Sequence, residues 1–167
     1  IKDHLIKLKE NKFTNPEIEL RALLSLSSLN NEEIFLNNFD INKINHDQFK
    51  RAFNRRIVNE PISKIFNQKE FWNLNFYVNP NVLDPRPETE FLIEAIKHYF
   101  IDFHENIKIC DLGTGSGCLA IVLAKLYKNA TIVATDISEA AIKVAKKNAI
   151  NQNVKRQIEF RKCDWVQ

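Results

Sequence analysis

The sequence predicts an α/β chain in which a small all-α segment and a short β-hairpin precede the first strands of an open parallel sheet, a sheet left incomplete here. Three observations carry this. All three glycines of the 167 residues lie within five positions, at Gly113, Gly115 and Gly117, between two apolar runs. That order reads strand, tight loop, helix. Two further strand-like runs, 131–135 and 157–161, follow with a helical pattern between them. Residues 1 to about 68 carry helical apolar stripes and no strand pattern.

Taken in order, Ile1, Leu5 and Leu8 share a helical face. Asn15-Pro16 reads as an N-cap followed by proline at the first helical position, and Leu20, Leu23 and Leu24 continue that helix. Asn31, with Glu32 and Glu33 behind it, predicts a shorter helix. A longer one from about Asp47 carries Phe49, Ala52, Phe53 and Ile57. Its basic group, Lys50, Arg51, Arg55 and Arg56, reads as a solvated face, or more sharply as a patch for a partner. Residues 69–72 and 76–78 predict a hairpin with its turn at 73–75. The prolines of Asp84-Pro85-Arg86-Pro87-Glu88-Thr89-Glu90 force an extended loop, and Pro87 starts a helix through Phe91, Leu92, Ala95 and Ile96. The divisions expected are a helical domain at 1–68, hairpin and linker at 69–86, and a sheet domain at 87–167.

The glycine loop, Asp111-Leu112-Gly113-Thr114-Gly115-Ser116-Gly117, opens a helix, where free N–H groups and the dipole suit a polar ligand. A dinucleotide fingerprint would need its third glycine at position 118, which is Cys118. The Lys-Ser/Thr of a phosphate-binding loop is also absent. Residues 131–135 alternate with β-branched side chains and end at Asp136, and Ser138 caps a helix whose Ala141, Ile142, Ala145 and Ala149 share a face. The spacing D-x-G-x-G-x-G resembles motif I of the class I S-adenosylmethionine-dependent methyltransferases. That resemblance implies a Rossmann-like sheet and S-adenosyl-L-methionine held along the loop, with Asp111 below it. Asp136 is then placed to accept from a ribose diol. Asp164, at the end of the third strand, can accept from the adenine amino group. Trp165 covers the adenine face or packs an edge of the sheet. The cofactor-binding set is therefore Asp111, Gly113, Thr114, Gly115, Ser116, Gly117, Asp136, Asp164 and Trp165.

Composition is that of an ordinary soluble globular chain: 44% hydrophobic, 27% charged, net charge +3. The charge is too mild to argue for nucleic acid, and no apolar run approaches a membrane span. The four histidines lack metal-ligand spacing. Cys110 and Cys118 read as small buried residues in a reducing cytoplasm. The chain holds no methionine and stops just past its third strand, so it reads as a fragment.

Along its whole length, and most closely over 55–165, the chain resembles the HemK/PrmC family of protein-(glutamine-N5) methyltransferases, which act on class-1 peptide chain release factors. The residues are Arg55-Arg56 with Glu60-Pro61-Ile62, the hairpin ending Tyr77-Val78, the Pro85-to-Glu90 loop and the glycine loop. Asp84 departs from the family, which usually has an aliphatic residue there. The resemblance implies methyl transfer to the glutamine of a Gly-Gly-Gln loop, a helical domain that sets the substrate, and a catalytic Asn-Pro-Pro-Tyr loop that falls beyond Gln167. No catalytic residue is assigned, and residues 1–167 alone are expected to be inactive. Competing readings are a ribosomal-protein glutamine methyltransferase, an adenine-N6 DNA methyltransferase, a helical binding module with a vestigial nucleotide fold, and a dehydrogenase. The first strand, apolar on both faces and left at an edge, predicts poor solubility for 1–167, with residues 1–68 folding alone.

Overall fold

The structure is a computed structural model that describes residues 1–29 and 40–165. The chain divides into two compact units, Ile1–Phe66 and Asn67–Gln167. The helix expected at Asn31 lies outside the described residues.

The first unit contains α1 (Lys2–Glu10), α2 (Pro16–Leu26), α3 (His46–Ile57) and α4 (Ile62–Phe66). Leu8, Leu20, Leu23, Leu24, Phe49, Phe53 and Ile65 form its core. Pro16 opens α2 as expected, but Asn15 makes no side-chain cap bond. For α3 the cap is Asn45, whose Oδ1 accepts the Gln48 N–H at 3.0 Å. The basic group of α3 is divided. Lys50 and Arg51 lie at the surface. Arg55, though exposed, and half-buried Arg56 act as braces within the unit. Arg55 Nε donates to Glu60 Oε2 at 2.7 Å and its Nη1 to the Ile65 carbonyl at 3.0 Å. Arg56 grips both oxygens of Glu19 at 2.7 and 2.9 Å, reaches the Glu60 carbonyl at 3.1 Å, and lies 4.3 Å over the Phe13 ring. The Arg-Arg-x-x-x-Glu stretch thus ties α2, α3 and α4 together.

The second unit opens with β1 (Gln68–Phe71) and β2 (Leu74–Tyr77), an antiparallel pair in which Phe71 faces Leu74. The turn is therefore two residues, Trp72-Asn73, both with positive φ (52° and 54°), as a tight hairpin with the right twist requires. The sequence placed it at 73–75, but Asn75 pairs with Glu70 inside the ladder. Bulky Trp72 is costly in a left-handed conformation. Its N–H donates to Glu90 Oε1 at 2.9 Å, which helps hold it there. Phe71 and Phe76 are buried in the same core as Ile93, Ile121 and Leu123, so the hairpin packs as part of this unit.

A 3-10 turn, Pro87–Thr89, leads into α5 (Glu90–Tyr99). Then come β3 (Lys108–Leu112), α6 (Cys118–Leu126), β4 (Thr131–Asp136), α7 (Glu139–Asn151) and β5 (Ile158–Lys162). The three strands are parallel, in the order β3-β4-β5. This is, in part, the Rossmann-like parallel sheet that the sequence predicts. Ile132 and Ala134 point at α6 and α7 and are fully buried. The opposite face carries Lys108, Cys110, Thr131, Thr135, Glu159 and Arg161, with Val133 among them.

That open face corrects one expectation and qualifies another. Cys110 is exposed, because it alternates out of phase with the helix-covered positions. The open face of the edge strand β3 carries one charged residue, Lys108, beside its apolar ones. Ile107 and Ile109 share the covered parity, and the other face of the strand shows Lys108, Cys110 and Leu112.

Arg56→Ala should destabilise residues 1–66 by about 2 kcal/mol, since it removes charged hydrogen bonds from a half-buried carboxylate. Arg56→Lys should recover less than half of this, because an ammonium cannot form the two-pronged pairing. Urea titration of residues 1–66 measures both, and an unchanged midpoint in Arg56→Ala would remove the brace from the account.

Candidate functional site

The glycine loop is held from below, from the side and from behind. Below it, Asp111 at the end of β3 is buried, and its Oδ2 accepts the Thr114 hydroxyl at 2.6 Å. The Ala120 N–H in the first turn of α6 also favours the charged form of this carboxylate. Burial pushes its pKa up, and these two donors work against that shift. At the side, Asp136 at the end of β4 accepts the Gly115 N–H at 2.9 Å and the Ser138 N–H at 2.9 Å, one on each oxygen. Each carboxylate oxygen keeps a second acceptor direction.

The loop does not offer the N–H cradle that its place before a helix suggests. The N–H groups of Gly113 and Thr114 both donate to the Thr135 carbonyl, at 2.9 and 2.8 Å. Gly117 N–H donates to the Thr114 carbonyl at 2.8 Å, and Gly115 is taken by Asp136. Phosphate sites need such donors free. Four of them, at Gly113, Thr114, Gly115 and Gly117, are already bonded here.

The three glycines serve different ends. All have positive φ, at 75°, 56° and 81°. A Cβ on Gly113 would meet nothing within 4 Å, and one on Gly115 only the Gly113 carbonyl at 4.0 Å. Both border open space. A Cβ on Gly117 would stand 3.0 Å from Ala145 Cβ and 3.2 Å from Ile121 Cδ1. Gly117 is therefore the point where the loop packs on α7.

From behind, α7 supplies Asn148, which is 1% exposed. Its Nδ2 donates to the Ser116 carbonyl and to the Tyr77 carbonyl, both at 2.9 Å, and its Oδ1 accepts the Tyr77 N–H at 2.7 Å. In the hairpin register those Tyr77 groups face away from β1, so the carboxamide acts as a neighbouring strand would. Gln152 Nε2 does the same for the Asn75 carbonyl at 3.0 Å. Nothing in the motif singled out Asn148. The available signal was a polar residue three positions after Ala145, on the apolar face of its helix.

A cavity of about 250 Å³ lies against the loop. Asp111, Gly113, Thr114, Gly115 and Ser116 line one part of it, and Asp84, Arg86 and Thr89 another. The two motifs quoted separately from the sequence thus meet in one cavity. Asp136 flanks the loop through Gly115. Asp164 and Trp165 are not among the cavity's residues. Both are exposed, and Trp165 lines a groove on the open face of the sheet with Val133 and Thr135, whose hydroxyl donates to the Trp165 carbonyl at 3.4 Å. Among the described residues no group of three or more His, Cys, Asp or Glu could hold a metal ion, and no helix is long and apolar enough to cross a membrane.

Residues 103–167 match the family described as a methyltransferase domain. The release factor glutamine methyltransferase of Coxiella burnetii is 47% identical over 113 residues, covering 68% of this chain and 40% of that protein. That of Buchnera aphidicola subsp. Schizaphis graminum is 36% identical over 159 residues, covering 90% of this chain and 54% of the relative. Over the matched residues the chain is thus similar to release factor glutamine methyltransferases. The bifunctional methyltransferase of Rickettsia bellii is also similar, 34% identical over 96% of this chain and 34% of its own length. The chain thus spans from about a third to about half of these relatives' lengths.

Gly117→Ala should lower the melting temperature more than Gly115→Ala. The left-handed backbone costs each about 1–2 kcal/mol, and only Gly117 adds the contact with Ala145. Equal melts would remove the packing role. Burial pushes the thiol of half-buried Cys118 up to about 11, so at pH 8 a thiol reagent should modify exposed Cys110 well before Cys118. Peptide mass mapping reads this, and labelling of Cys118 as fast as Cys110 would contradict the raised thiol pKa.

Proposed function

We propose that this chain carries the cofactor-binding elements of an S-adenosyl-L-methionine-dependent methyltransferase that N5-methylates the glutamine of the Gly-Gly-Gln motif of class-1 release factors. One observation carries the cofactor part: a glycine loop with four of its N–H groups internally bonded, open space at Gly113 and Gly115, and acids at the ends of β3 and β4. Such a site suits a nucleoside bearing an uncharged or cationic arm better than a phosphate. The similarity to release factor glutamine methyltransferases supports the acceptor part.

In this reading Asp111 and Thr114 brace the loop, and Gly113, Gly115, Ser116 and Gly117 shape it. Asp136 takes the ribose diol on the acceptor directions it has left. Asp164 and Trp165 belong to the adenine side by their place after β5. Bound S-adenosyl-L-methionine supplies an electrophilic methyl group on a sulfonium. An amide nitrogen is a poor nucleophile, so orientation of the acceptor is what such an enzyme must provide. The helical unit 1–68 recognises the substrate, and a release factor places the reaction in the cytoplasm.

Incubated with methyl-labelled cofactor and a release factor, the polypeptide that carries this chain should label the Gly-Gly-Gln glutamine. Label on a ribosomal protein or on DNA adenine instead would replace the acceptor assignment. Asp136→Ala should weaken S-adenosylhomocysteine binding by about tenfold or more, the worth of a charged hydrogen-bond pair. Calorimetry showing unaltered affinity would end the ribose role.

A further inference from the structure

We propose that Asn148 is a positioning residue for the cofactor: its carboxamide holds the Ser116 carbonyl, and so sets the loop in the form that binds S-adenosyl-L-methionine. This rests on the cofactor reading above. It goes further by assigning cofactor affinity to a side chain outside the ligand space.

The first observation is how unevenly the loop is tied. Its leading part is fastened to β4, by the N–H groups of Gly113 and Thr114 on the Thr135 carbonyl and by that of Gly115 on Asp136. Its trailing part turns at Ser116, which is buried between two glycines of positive φ, 56° and 81°. Glycine on both sides lets the peptide groups around Ser116 rotate at small steric cost. A bond from outside the loop selects one orientation, and Asn148 Nδ2 supplies it at 2.9 Å. Gly115 and Ser116 form part of the cavity wall, so a Ser116 carbonyl that turned away would alter the surface a ligand meets. Asn148 itself is 1% exposed and lies outside that lining.

The second observation is a contrast along α7. Gln152, one helical turn on, reaches the hairpin with its side chain, at the Asn75 carbonyl, and does not reach the loop. Asn148 holds the hairpin at Tyr77 and also gives one of its two amide hydrogens to the loop. The two carboxamides thus separate the bracing of the hairpin from the setting of the loop. An aspartate in place of Asn148 would have the same shape, but it would set an oxygen against two carbonyl oxygens.

The loop can be read directly, because all three glycines lie in it and a chain labelled at glycine nitrogen gives amide signals from the loop alone. Asn148→Ala should shift or broaden the Gly115 signal together with that of Gly117. It should also weaken S-adenosylhomocysteine, measured by calorimetry, by about tenfold or more. Gln152→Ala should leave the glycine signals in place and the affinity within about twofold. Asn148→Asp removes the amide donors at constant shape and serves where the alanine variant does not fold. Melts fix a temperature at which every variant is folded, and affinities are compared there, so a role in stability alone would not move them. Unchanged affinity in the folded Asn148 variants, or an equal loss in Gln152→Ala, overturns the proposal. So does a shift confined to Gly117, whose amide shares a peptide group with the released carbonyl. If the unsubstituted chain binds no S-adenosylhomocysteine, the cofactor reading fails and the affinity role with it. Equal binding by the chain and its Asn148 variants ends only the role of Asn148.

Discussion

Asn148 joins three segments far apart in sequence: the outer edge of the hairpin at Tyr77, the glycine loop at Ser116, and the helix after β4. A buried carboxamide has two donors and one oxygen, and here all are in use. Replacing it would leave two carbonyls and one N–H buried without partners, and the cost of such groups exceeds the net worth of the bonds lost. One helical turn earlier, Ala145 is small enough to let Gly117 seat against α7. The position of the loop therefore depends on two adjacent turns of one helix. It also depends on the hairpin, which would otherwise present a free strand edge.

The Pro85-to-Glu90 stretch divides in the same way. Its last residue, Glu90, faces the hairpin and accepts the Trp72 N–H in a turn that a tryptophan does not enter freely. Arg86 and Thr89 face the cavity. A single short motif thus fixes the hairpin turn at one end and lines the ligand space at the other. This accounts for a motif of charged and proline residues sitting between two hydrophobic elements.

The elements were legible in the sequence where period and capping agree. Ser138 caps α7 through the Ala141 N–H at 3.2 Å, and the three strands fall within a residue or so of their apolar runs. What stayed hidden depended on contacts between distant residues. Burial of Cys110 was read from a mid-strand position, but which face a helix covers is decided by α6 and α7. Arg55 and Arg56 looked like half of a basic patch until Glu60 and Glu19 were found against them. The glycines announced a special backbone, yet the division between two that border open space and one that packs needed coordinates.

The two acids beside the loop differ in what they can still do. Asp111 is buried, accepts from Thr114, and has its pKa pushed up by desolvation. An acid so enclosed spends its charge on the loop and on the N-terminus of α6, where a negative group is favoured. Asp136 is only half-buried, and each of its oxygens holds one backbone N–H. Those bonds fix its plane and leave a second acceptor direction on each oxygen. On the proposed reading, a diol bound there would meet a carboxylate already oriented, with little side-chain entropy left to lose. The ordering cost has been met in folding, by the same N–H groups that a phosphate loop would have kept for its ligand.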